Sequence, residues 1–84
     1  MTMNENRHKI EIKDALIAAY LDMQGLHVRT RAVDKSKVVF EVTGEDVDDE
    51  MDHFYQNPKV PLLSYLTSYK KIKSMLYTAK GSSA

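Results

Sequence analysis

The sequence predicts a small α+β fold in which a two-stranded antiparallel hairpin packs against three helices, in the order α-β-β-α-α. Three observations carry this reading. Apolar residues recur at helical spacing in three separate stretches, two stretches after the first of these alternate with period two, and glycine, proline or a polar cluster stands at the boundaries. At 84 residues the chain has room for one domain, close to the size below which a single core no longer stabilises a fold unaided.

The first helix rests on Ile12, Leu16, Ala19, Tyr20 and Met23, which follow the spacing of one helical face and place a helix over 12–24. Gly25 stands where a C-terminal cap needs the left-handed conformation that only glycine adopts cheaply. From Leu26 to Val33 and again from Lys37 to Thr43 the period changes to two, with Asp34, Lys35 and Ser36 between. The apolar faces of both strands must lie on one side of the ribbon. That parity places Val28 opposite Val42, Thr30 opposite Phe40, and Arg29 opposite Glu41.

Thr43 then reads as an N-cap with Asp46 behind it, and Val47, Met51, Phe54 and Tyr55 carry a second helix to about Gln56. The segment Asn57-Pro58-Lys59-Val60-Pro61 ends that helix, and Pro61 suits the first turn of a third. Its inner stripe is read as Leu62, Leu66, Tyr69, Ile72, Met75 and Leu76, reaching Thr78. Residues 1–11 and 79–84 are expected to be tails around one domain at 12–78.

Composition narrows the function classes. There is no cysteine, which removes disulfides and thiolate metal sites. No apolar run has the length of a membrane span and the first residues show no leader pattern, so a cytoplasmic protein with no membrane partner is expected. Twelve basic and twelve acidic residues cancel, against a general affinity for polyanions. Their distribution is uneven: six carboxylates and no Lys or Arg lie between Gly44 and Asn57, five lysines and no carboxylate between Pro58 and Ala84.

Ala18-Ala19-Tyr20-Leu21 with Gly25, Lys37-Val38-Val39-Phe40-Glu41, Tyr55, Val60-Pro61, and Lys71-Ile72-Lys73 with Leu76-Tyr77 together resemble a family of small uncharacterised domains of unknown function found in phages, prophages and bacteria. The resemblance implies a phage or bacterial origin and brings no catalytic residues with it.

Candidate chemistry is thin. The acidic run of Glu45, Asp46, Asp48, Asp49, Glu50 and Asp52 lacks the glycine that a calcium loop needs at its sixth position and reads as a solvated helix face. Glu50 and His53 have the spacing of one half of a two-metal helix motif, without a second half. His53 beside Asp49 has no recognisable nucleophile to serve. Gly25, Gly44 and Gly81 are too far apart to cradle a phosphate. No catalytic residue, metal, cofactor or small-molecule substrate is therefore expected, and the protein is read as not an enzyme. The candidate interaction residues are Arg29, Arg31 and Lys37 on the outer face of the hairpin, Lys70, Lys71 and Lys73 on the third helix, and the aromatics Tyr65 and Tyr77. The expected function is a protein-interaction or assembly module, a virion component or accessory protein with a protein partner or copies of itself. The alternative is a nucleic-acid-binding domain using the basic hairpin face and the last helix.

Overall fold

The computed structural model describes residues 8–35 and 37–81, so the outermost parts of the expected tails and Ser36 in the hairpin turn lie outside the described residues. The element order is β1 (His8–Ile12), α1 (Ala15–Met23), β2 (His27–Ala32), β3 (Val38–Gly44), α2 (Val47–Tyr55) and α3 (Leu62–Gly81). The sheet has three antiparallel strands in the order β1-β3-β2, which corrects the two-stranded reading. Residues 8–12, assigned to the tail and to the start of the first helix, form an edge strand. Lys9, Ile10, Glu11 and Ile12 alternate in polarity, and Ile10 and Ile12 pack against the core opposite Val42 and Phe40. A central β3 solves the marginality of a lone hairpin by pairing on both sides.

Pairing of β2 with β3 follows the parity argument: Val28 faces Val42, Arg29 faces Glu41 and Thr30 faces Phe40. The ladder continues to the turn, where the Val33 N–H donates to the Lys37 carbonyl at 2.8 Å and the Lys37 N–H to Asp34 Oδ1 at 3.0 Å.

Ile12 already belongs to β1, so α1 begins later than the periodicity suggested, and its cap is Asp14, whose carboxylate accepts from the Leu16 N–H at 2.8 Å. At the other end Gly25 takes φ +94°, the Leu26 N–H donates to the Leu21 carbonyl, and the Gly25 N–H to Asp22, a Schellman closure. Five consecutive residues of α1, Ile17 to Leu21, are buried. A helix buried on most sides must lie inside its layer, and α1 does: it packs on α2, on α3 and on the sheet. The one-face reading fails at Leu16, which is half exposed.

Thr43 is not the cap of α2, because it is held in β3 opposite both Lys9 and His27. Asp46 occupies the cap position, and the first turn carries Asp48, Asp49 and Glu50, where acids favour the helix dipole. Asn57 ends the helix at φ 58°, a left-handed value that asparagine tolerates, with its N–H on the Phe54 carbonyl. The molecule is 16 Å thick along its shortest axis, one sheet and one helix layer, and Leu21, Phe40, Val42, Val47 and Ile72 are sealed between them.

Candidate interaction surfaces

On the face of the sheet away from the helices, alternation brings Glu11, Glu41 and Arg29 into one row across three strands. Arg29 Nε donates to Glu41 Oε1 at 3.1 Å, Arg31 Nε reaches the other oxygen of Glu41, and Arg31 Nη2 crosses β3 to Glu11. Glu41 and Val39, lying beneath these side chains, are only 4% and 6% exposed although they face outward. Burial pushes the Glu41 carboxyl up, and the two guanidiniums together with the charge of Lys9 outweigh it, holding the group below the ordinary carboxylate range. Glu11, with Glu41, pushes the Arg31 guanidinium further up. Two of the three basic residues predicted here are thus engaged by carboxylates, one of them on a strand that the sequence reading did not include. Lys37 stands exposed at the turn.

The α1 and α3 helices run in the same direction. The Tyr65 hydroxyl donates to the Leu16 carbonyl at 2.8 Å, and Lys71 Nζ reaches Asp22 Oδ1, also at 2.8 Å; both pairs are separated by 49 positions. This register puts Leu62 and Leu63 level with residues 13 and 14, before α1 begins, so that nothing in α1 covers them. Leu62, Leu63 and Leu66 are 66%, 76% and 38% exposed, which corrects the placing of Leu62 and Leu66 in the inner stripe. The stripe that does face inward is Tyr65, Ser68, Tyr69, Ile72, Met75 and Leu76.

At about 100° per residue, Leu62, Leu63, Leu66, Lys70, Lys73 and Tyr77 fall on one side of α3, while Ser64, Thr67, Lys71 and Ser74 fall on the other. Lys71 identifies the second side as the one toward α1, so the leucines, Lys70, Lys73 and Tyr77 project away from it. Lys73 Nζ lies 6.0 Å from the Tyr69 ring centre and 5.3 Å from that of Tyr77, within cation–π range. Three predicted residues, Lys70, Lys73 and Tyr77, therefore share one surface, joined by leucines that the prediction missed. Lys71 is turned toward α1, Tyr65 is turned inward, and the arginines occupy the opposite face of the sheet. Burial, with the nearby Asp14 and Tyr69, pushes the Tyr65 hydroxyl up.

The spacing of Glu50 and His53 serves a different end. Glu50 Oε1 accepts from the Tyr20 hydroxyl at 3.3 Å and from Gln24 Nε2 at 3.2 Å, with His53 Nδ1 at 3.4 Å, tying α2 to α1. Burial and the Glu50 charge and hydrogen bond push the Tyr20 hydroxyl up. Among the described residues no group of three or more His, Cys, Asp or Glu is placed to hold a metal ion. A notch of about 210 Å³ opens between Tyr20, Phe54, Asn57, Pro58, Val60 and Tyr65. No helix among the described residues is long and apolar enough to cross a membrane.

The family described as a domain of unknown function, DUF5659, matches residues 7–78. The chain belongs to this family. The DUF5659 match takes in β1 and most of α3, so the third strand and the leucine-lysine side of α3 both lie within the shared stretch. No curated protein matches the chain, and no solved structure does.

Proposed function

We propose that this DUF5659 protein is a non-enzymatic docking module whose contact surface is the outward side of α3, and that its partner is a protein. The observation that carries the proposal is the exposure of Leu62, Leu63 and Leu66 beside Lys70, Lys73 and Tyr77. Grouped leucines at these exposures lower stability little when lost and raise the cost of keeping the chain soluble, which is the mark of a contact surface. Aromatic and basic neighbours give such a surface an anchor and a rim. The resemblance of the sequence to small phage and prophage domains supports a phage-encoded protein acting in the host cytoplasm or in the virion. Against the nucleic-acid alternative stand the engagement of Arg29 and Arg31 by Glu41 and Glu11 and the position of the lysines of α3 on the other side of the sheet.

The test is site-specific photo-crosslinking in the native host, with a benzophenone amino acid at Leu63 or, as a control, at Ser74 on the other side of α3. A discrete protein adduct from Leu63 alone is expected. Loss of that specificity, together with binding to DNA or RNA whose log-log salt slope is about −3 or steeper, would replace this reading with the nucleic-acid one.

A further inference from the structure

The side of α3 described above has a counterpart at the other edge of the helix layer. In α2, Asp48, Asp52 and Tyr55 are spaced i, i+4, i+7 and share one side of the helix. Glu50, on a different side, reaches back to Tyr20 and Gln24 of α1. The Asp48, Asp52 and Tyr55 side therefore projects away from α1, and Tyr55 is 69% exposed. Since α1 packs against both α2 and α3, an acidic and aromatic side bounds the layer at one edge, and a basic and leucine-rich side bounds it at the other.

The two sides also match in spacing. Tyr55 and Asp52 are three residues apart and Leu66 and Lys70 four, about 4.5 Å and 6 Å along a helix. Running α2 antiparallel to α3 places Tyr55 against Leu66 and Asp52 against Lys70, with Lys73 one turn further along the acidic side of α2. We propose that the occupant of the α3 surface is the α2 side of a second copy of this chain, in a head-to-tail contact. This rests on the docking role of α3 proposed above and adds the partner. The two surfaces are different and lie at opposite edges, so the contact is heterologous. Each copy keeps one of each unused, and association continues beyond the dimer unless a ring closes. Leucine and tyrosine burial supplies the affinity, and the charges set polarity and register.

Charge exchange tests this in the full chain. K70E/K73E carries acids on both edges, and D48K/D52K carries bases on both. The wild-type protein is expected to show a weight-average mass in sedimentation equilibrium that climbs past that of a dimer as concentration rises. Each variant alone, with circular dichroism unchanged, is expected to stay monomeric. An equimolar mixture of the two is expected to associate again, because every edge then meets its opposite. A wild-type chain monomeric at about 1 mM, where even a contact worth roughly 4 kcal/mol would be half formed, overturns the inference. So does a closed dimer indifferent to both variants. If the wild type stays monomeric while Leu63 still crosslinks to another protein, the docking role stands and only the second-copy partner falls.

Discussion

Ile72 and Leu62 sit on the same helix, and replacing each by alanine separates what holds the fold from what the surface is for. Ile72 is fully buried, while Leu62 is 66% exposed. Ile72→Ala removes three carbons at roughly 0.8 kcal/mol each, about 2.4 kcal/mol, and the cavity left in the two-layer core brings the loss to about 3–4 kcal/mol. For a domain of this size each kcal/mol lowers Tm by roughly 4–8 °C, so a fall of about 15–30 °C is expected. Leu62→Ala forfeits only about a third of a comparable transfer term, and the better helix propensity of alanine returns a few tenths, leaving under about 1 kcal/mol. Urea denaturation followed by far-ultraviolet circular dichroism measures both, and an unchanged m-value shows that the denatured state is not what moved. Equal losses for the two variants would refute the assignment of inner and outer sides of α3 and remove the basis for reading its leucines as a contact surface.

Three further outcomes follow from named contacts. Because the Glu41 carboxyl is held below its unfolded value, its stabilising contribution is complete above the ordinary carboxylate range and is lost as pH falls through the folded value; the gap in Tm between wild type and Glu41→Gln should narrow on acidification, and a constant gap would contradict the pairing with Arg29 and Arg31. Asp14→Ala should cost about 1 kcal/mol by removing the cap on the Leu16 N–H, and a neutral result in urea denaturation would mean that α1 starts elsewhere. Tyr20 and Tyr65 both ionise above the ordinary tyrosine range, so spectrophotometric titration should show a late phase that shrinks in Tyr20→Phe and again in the double variant with Tyr65→Phe; no change in that phase would count against the burial of both hydroxyls.

The elements between Leu26 and Tyr55 were the most legible, because parity leaves a hairpin little choice of register and acids at a helix start are a local signal. The third strand was hidden by an ambiguity local to Ile12. It continues the alternation of Lys9, Ile10 and Glu11, and it also stands four residues before Leu16, so the same residue fits either period. Asp14 as a cap decides between them, and it is outvoted when apolar spacing alone is counted. On α3, periodicity found the apolar residues but not which of two apolar sides turns inward. That choice depends on where α1 begins and on its register with α3, a tertiary fact. The residue types of the proposed contact surface were readable for the same reason that their grouping was not: Lys70, Lys71 and Lys73 look alike in sequence, and only Asp22 shows that Lys71 belongs to another side.

The zero net charge takes on a different meaning once the ion pairs are drawn. Glu11, Glu41 and Asp22 engage Arg29, Arg31 and Lys71, three charges of each sign. The balance of the whole chain therefore carries over to the charges outside these pairs, among them Asp52 on α2 and Lys70 and Lys73 on α3, toward opposite edges of the helix layer. A neutral molecule sorted in this way has a dipole across its width, set by the placing of α1 between the two helices. Such a field has no monopole to attract polyanions from a distance. In the proposed contact it would orient a second copy at close range, and it weakens as the screening length falls to about 8 Å at physiological salt. In the docking role proposed above, the same arrangement would disfavour phosphate and favour a surface sorted as its own is.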